Sequence, residues 1–116
     1  MSGILLEKAV DNRQIGPSIY RMTIESEFVS QNALPGQFVN VKCGDGVNAL
    51  LRRPISICTA DRKAGTFDIV YQVKGKGTEL LAKVRKGETV DLLGPLGKPF
   101  EVGGKYRSIA VVGGGI

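Results

Sequence analysis

Residues 66–87 read TFDIVYQVKGKGTELLAKVRKG, and the pattern changes partway along. Phe67, Ile69, Tyr71 and Val73 alternate with Asp68, Val70 and Gln72, so the larger side chains share one face of an extended strand. Beyond the glycines the period lengthens, and Leu80, Leu81 and Val84 recur at helical spacing. Thr78 suits the N-cap, Glu79 suits the positive end, and Lys83, Arg85 and Lys86 suit the last turn. Gly87 takes the C′ position. The stretch predicts a half-buried strand, a glycine-rich connection and one short helix beginning near Thr78.

Strand patterns of the same kind flank it. Residues 4–10 read as a first strand, and in 19–26 Tyr20, Met22 and Ile24 alternate with Arg21, Thr23 and Glu25. Pro35-Gly36 marks a turn before a strand at 37–43, and Gly44-Asp45-Gly46 marks another. A strand at 53–60 carries Pro54 near its start, where a missing N–H is tolerated. Residues 61–65 make a hairpin loop into Thr66. After the helix, a short strand at 89–93 runs into the turn-rich GPLGKPF. Evenly spaced strands with one helix predict an all-β domain, a six-stranded antiparallel Greek-key barrel with one short α-helix.

Bulk properties narrow the function. At 116 residues the chain has room for one domain with a modest core, and 42% apolar content argues against disorder. No apolar run approaches the roughly 20 residues that span a bilayer. The opening MSGILLEKAVDNRQ lacks a basic region followed by a long apolar stretch, so no signal peptide is expected and the expected location is cytoplasmic. With two cysteines and no histidine, one chain cannot assemble a four-ligand zinc site, a four-thiolate cluster or a histidine-based triad. Cys43 and Cys58 both lie in apolar, strand-like settings and are expected in the core. No metal ligand and no catalytic residue is assigned. The net charge of +5 either favours anionic partners or keeps the surface solvated.

Two stretches carry chemistry. In LLRRPISI, residues 50–57, two arginines stand at the threshold of a strand. A guanidinium offers a fixed fork of donors that matches a phosphate, and Ser56 adds a hydroxyl three residues after Arg53. The same residues also fit a strand start whose arginines pair with surface carboxylates. In VKGKGT, residues 73–78, two lysines and two glycines precede a helix start, which suits an anion or serves only as a flexible connection. It is not a Walker A loop, because Gly75-Lys76 is followed by Gly77 and not by Ser or Thr.

The order RRPISI, IVYQVKGKGT, a short helix, VDLLGPLGKPF and IAVVGGGI resembles the ferredoxin–NADP reductase superfamily over nearly the whole chain. Within it, the chain is most similar to the electron-transfer subunits of NAD-dependent bacterial dihydroorotate dehydrogenases. The resemblance implies an FAD-binding barrel over residues 1–104. It also implies that 105–116 are the first strand and glycine turn of a nicotinamide domain, cut short here. It implies partners: a catalytic subunit carrying FMN, in a heterotetramer, and NAD through the second domain. It implies a [2Fe–2S] cluster on four cysteines that this chain lacks, so no complete turnover is expected of it alone. No nucleic-acid or membrane partner is expected.

Carried over by position, Arg53 would hold the FAD pyrophosphate, Pro54 and Ile55 would lie along the flavin, and Ser56 would sit near its reactive N5 edge. The superfamily more commonly has an aromatic at the place of Ile55, so stacking on the ring would be weaker or come from Tyr71. Val70, Tyr71 and Gln72 would line the isoalloxazine or ribityl side, and Gly77 and Thr78 would contact the cofactor at the helix start. Three other readings stand beside this one. They are another NAD(P)H-linked flavin reductase subunit, a basic barrel that binds nucleic acid, and an interaction module without a ligand.

Overall fold

The computed structural model describes residues 4–43 and 52–99. The expected turn at Gly44-Asp45-Gly46 and the expected strand and glycine turn at 105–116 lie outside the described residues. The elements are β1 (Ile4–Gly16), β2 (Ile19–Glu25), α1 (Glu27–Asn32), β3 (Phe38–Lys42), β4 (Arg52–Asp61), β5 (Thr66–Gln72), α2 (Lys76–Ala82) and β6 (Thr89–Leu96). The six strands close into a barrel in the order β1-β2-β5-β4-β3-β6, with every pairing antiparallel. β3, β4 and β5 follow one another as neighbours, and β6 returns beside β3, which is Greek-key connectivity. Among the described residues no helix is long and apolar enough to cross a membrane.

The inward faces are the ones the alternation marked. Met22, Ile24, Phe67, Ile69 and Tyr71 are buried, and Tyr20 packs against them partly covered. Val39 and Val41 from β3, Ile55 from β4, Val90 and Leu92 from β6 and Leu81 from α2 complete the centre of the barrel. Burying such side chains stabilises the fold by about 1.5–3 kcal/mol each before chain entropy is counted.

Several boundaries differ from the sequence reading, each for a local reason. β1 continues to Gly16, because a bulge between Ala9 and Asp11 resets its alternation and hides the strand in the polar run DNRQ. β6 continues to Leu96, past the expected turn. Gly94 lies there so close to β3 that an added Cβ would stand 2.6 Å from Val39 Cγ1. The helix after β5 starts at Lys76 with Gly75 as N-cap, so Thr78 lies inside its first turn. Its C-cap is Lys83, and Gly87, at φ 92°, sits in the turn beyond, where its N–H donates to the Ala9 carbonyl.

The helix α1 was missed. It is six residues long and buries only Val29 and Ser30, too little for a periodic signal. Its start was legible, since the Ser26 hydroxyl accepts from the Val29 N–H at 3.2 Å and Glu27 occupies the first turn. Cys43 is buried as expected, but Cys58 is exposed. Ile55 and Ile57 take the covered face of β4, so Cys58, one residue on, points outward by ordinary alternation.

Candidate functional site

β4 changes neighbours along its length. Residues 52–56 pair with β3, from Arg52 opposite Lys42 to Ser56 opposite Phe38. Pairing with β5 begins only at Ile57 opposite Ile69 and runs to Asp61 opposite Thr66. Before that point the two strands part. The first half of β4 and the last residues of β5 therefore face each other across a cleft, and their backbones are not joined in a ladder. Pro54 sits in this half, where β4 has one neighbour.

The cleft is lined by Arg53, Pro54, Ile55 and Ser56 from β4, Val70, Tyr71 and Gln72 from β5, and Lys74 and Thr78 from the loop and helix that follow. At about 240 Å³ it is smaller than the pockets that enclose drug-sized ligands, so a dinucleotide would lie along it with one side open. Eight of the nine expected residues line it. The ninth, Gly77, is in contact with the eight through Arg53. A Cβ added at Gly77 would stand 3.3 Å from Arg53 Nε and 3.3 Å from Cys43 Cβ. The bare backbone of Gly77 is thus the seat for the Arg53 side chain.

The charges in the cleft have one sign. Arg53 and Lys74 line it, and among the described residues no acidic side chain does. Arg53 is exposed, and among the described residues it makes no ion pair or hydrogen bond. Arg52 is committed elsewhere: its Nη2 lies 2.7 Å from Asp91 Oδ1 on β6. Of the two readings of the arginine pair, the ion pair with a carboxylate holds for Arg52. Burial pushes the Cys43 thiol up, and the neighbouring Arg53 charge pulls the other way, which leaves a protonated, inert side chain beneath the guanidinium.

The loop into α2 is shaped by Thr78. Its Oγ1 accepts from the Lys74 N–H at 2.9 Å and the Gly75 N–H at 3.2 Å, and it lies 3.1 Å from the Gly75 carbonyl. That hydroxyl is engaged within the loop, so Thr78 meets the cleft with its remaining surface. Tyr71 is not free to stack on a ligand. It is buried and held parallel to Tyr20 at 5.9 Å, and its hydroxyl donates to Asn12 Oδ1 at 2.8 Å. Burial pushes its pKa up to about 12. With Ile55 also buried, neither position offers an open aromatic face.

Lys74 was not singled out as a site residue, although it stood in the lysine- and glycine-rich stretch already read as suiting an anion. A larger groove of about 640 Å³ lies along α2 and β6. Its lining mixes Lys42, Lys76 and Lys83 with Glu88 and Asp91, and Asp91 is taken by Arg52, so it lacks the single sign of the cleft.

Comparisons with known proteins agree with this geometry. The family of oxidoreductase FAD-binding domains matches residues 9–100. The chain is 43% identical over 109 residues to the dihydroorotate dehydrogenase B (NAD(+)) electron transfer subunit of Bacillus mycoides, and 43% identical over 108 residues to that of Fusobacterium nucleatum. Those matches cover 92% and 91% of this chain and 42% of each relative, so the chain spans less than half the length of these curated relatives. A solved NADH-dependent reduced ferredoxin-NADP oxidoreductase shares the fold with a TM-score of 0.74 at 34% identity, over 87% of this chain and 36% of that one. The barrel order, the parted strands β4 and β5 and the match across both place the chain in the family of oxidoreductase FAD-binding domains, with a ferredoxin reductase-like barrel.

Proposed function

We propose that this chain is the flavin domain of the electron-transfer subunit of an NAD-dependent dihydroorotate dehydrogenase. The observation that carries the reading is the cleft where β4 and β5 part, with two cations and no carboxylate in its lining among the described residues. The 43% identity to named electron transfer subunits supports the choice within the family.

The residues fit FAD by the chemistry of their donors. Arg53 offers a forked guanidinium with no ion pair or hydrogen bond among the described residues, which matches a diphosphate. Lys74 adds a second positive charge on the same cleft. Gly77 leaves the space that lets Arg53 lie against α2. Pro54 and Ile55 provide apolar surface along a flavin, and Ser56 places a hydroxyl at its reactive edge. Val70 and Gln72 present the β5 side of the cleft. When bound, FAD supplies the redox chemistry, exchanging electrons singly or in pairs, and the protein supplies position and electrostatics.

In the whole assembly, electrons from dihydroorotate pass through FMN and a [2Fe–2S] cluster to FAD and then as hydride to NAD, in pyrimidine biosynthesis. The partners are an FMN-containing catalytic subunit in a heterotetramer and a nicotinamide domain, and the location is the cytoplasm. The likeness to the ferredoxin-NADP oxidoreductase favours one second reading, a subunit of a different NAD(P)H-linked flavin reductase.

Two experiments test this. FAD added to the chain should shift the amide signals of Arg53, Ile55, Ser56, Val70 and Gln72, and unchanged signals at high FAD would overturn the flavin reading. Exchanging this barrel for the equivalent one in the Bacillus mycoides subunit should preserve electron transfer from dihydroorotate to NAD. A swapped assembly that folds and binds FAD but transfers no electrons favours the other reductase.

A further inference from the structure

Asn12 has no place in the cleft, yet its side chain makes more contacts with distant backbone than any residue that lines it. Its Nδ2 donates to the Leu81 carbonyl at 3.0 Å and the Val84 carbonyl at 3.0 Å, with the Ala82 carbonyl at 3.4 Å. Its Oδ1 accepts from the Tyr71 hydroxyl at 2.8 Å. The amide orientation is unambiguous, since three carbonyls can only accept. Carbonyls of the last helical turn have no partner within a helix. Here a side chain about 70 residues away in sequence reaches the Leu81 and Ala82 carbonyls at the helix end and the Val84 carbonyl just beyond it; the Leu81 carbonyl also accepts from the Val84 N–H.

The bulge in β1 makes this possible. Ala9 pairs with Ile24 and Asn12 pairs with Met22, and both partners are fully buried. Residues 9 and 12 would take opposite faces of a regular strand. The extra residue at Val10 turns both inward. Asn12 therefore stands between β5, which carries Tyr71 on the cleft, and the end of α2, whose beginning carries Gly77 against Arg53.

We propose that Asn12 is a positioning residue for the flavin cleft: it fixes α2 to the Tyr71 strand and so sets the Gly77 seat that aims Arg53. This rests on the reading of the cleft as the FAD site. The helix has seven residues and its N-cap, Gly75, has no side chain of its own to cap it, so it holds its place through Leu81, the Thr78 hydroxyl on the N-cap backbone and Asn12. Without Asn12, the Tyr71 hydroxyl and the Val84 carbonyl lose the partners described here, and α2 loses its tie to β1.

The test is a double-mutant cycle read by FAD affinity, with melting temperature followed in parallel. Asn12→Ala should weaken FAD by about tenfold, and Arg53→Ala, which costs the parent about 10- to 100-fold, should cost no more than about threefold in the Asn12→Ala background. A purely structural role predicts a lower melting temperature with FAD affinity unchanged, or losses that multiply independently, and either result overturns the proposal. Should Asn12→Ala not fold, Tyr71→Phe keeps the ring and removes only the hydroxyl. It should shift the Gly77 and Thr78 amide signals and shrink the Arg53→Ala effect in the same way, and unmoved signals with independent losses overturn the proposal. FAD binding by the parent with independent losses refutes the positioning role alone, whereas no FAD binding by the parent refutes the flavin reading and this role with it.

Discussion

Arg52 and Arg53 leave β4 toward different partners: Arg52 Nη2 lies 2.7 Å from Asp91 Oδ1, while Arg53 Nε lies against Gly77, 3.3 Å from where a Cβ would stand. The register explains the division. Arg53 is opposite Val41, an inward position, and its side chain comes out at the rim of the barrel, where a charge keeps access to water or to a ligand. Arg52 is opposite Lys42 and reaches along the outer face to β6. Of two adjacent residues of one type, one is thus held in an ion pair and the other lines the cleft.

Arg53→Ala should lower FAD affinity by about 10- to 100-fold, the loss of a charge-assisted contact of about 1.5–3 kcal/mol. Arg53→Lys should recover part of it, because a point charge lacks the fork. Arg52→Ala should leave FAD affinity near that of the parent and cost about 1 kcal/mol of stability through Asp91. FAD titration and chemical denaturation of the three variants check this. Equal losses at both arginines that scale only with salt would point to a diffuse basic surface, and the nucleic-acid reading would then lead.

Ser56→Ala should bind FAD nearly as well as the parent, since in the proposed site the hydroxyl would meet the ring edge and not the phosphates. The midpoint potential of the bound flavin should move, because a hydrogen-bonding group near the redox centre is gone. Spectroelectrochemistry of both proteins checks it, and an unchanged potential would remove Ser56 from the ring edge.

Gly77→Ala separates binding from stability. No positive φ is recorded at Gly77, so alanine meets no backbone strain there, and helix propensity alone favours it by about 0.8–1 kcal/mol. The new Cβ would crowd Arg53 Nε and Cys43 Cβ at 3.3 Å, so the flexible guanidinium must give way. Melting temperature should hold or rise while FAD affinity falls several-fold. Parallel losses of both would mean that the contact with Cys43 dominates.

Asp68 gives the chain an acid-sensitive element outside the cleft. Burial works to raise its pKa, but hydrogen bonds from Thr23, Arg21 and Thr59 outweigh it and hold the carboxyl below the usual range. A carboxylate depressed on folding adds stability above its unfolded pKa of about 3.9, and that stability is lost as pH falls through the lower folded value. Melting temperature should therefore drop below about pH 4, and Asp68→Asn should be less stable at neutral pH with a shallower acid slope. Parent and variant curves that stay parallel down to acid unfolding would exclude the contribution.

The barrel was readable because its two causes are local. Alternation at Tyr20-Met22-Ile24 and Phe67-Ile69-Tyr71 is a matter of side-chain period, and the change to helical spacing after Gly77 is another. The cleft residues were reachable for a different reason: RRPIS, VYQ and GT stand as short unbroken runs, and a resemblance carries over position by position along such runs. What the chain order could not express was anything that depends on a bulge. One extra residue at Val10 turns Asn12 inward to Tyr71 and α2. A bulge answers to the register against the partner strand and to the curvature that closes the barrel, so the residues that form it do not by themselves set its position. The same holds for the arginine pair. Its residue types left a phosphate grip or a surface ion pair open, and only the arrival of Asp91 from β6 beside Arg52 and Gly77 from α2 beside Arg53 decided which arginine is ion-paired and which lines the cleft.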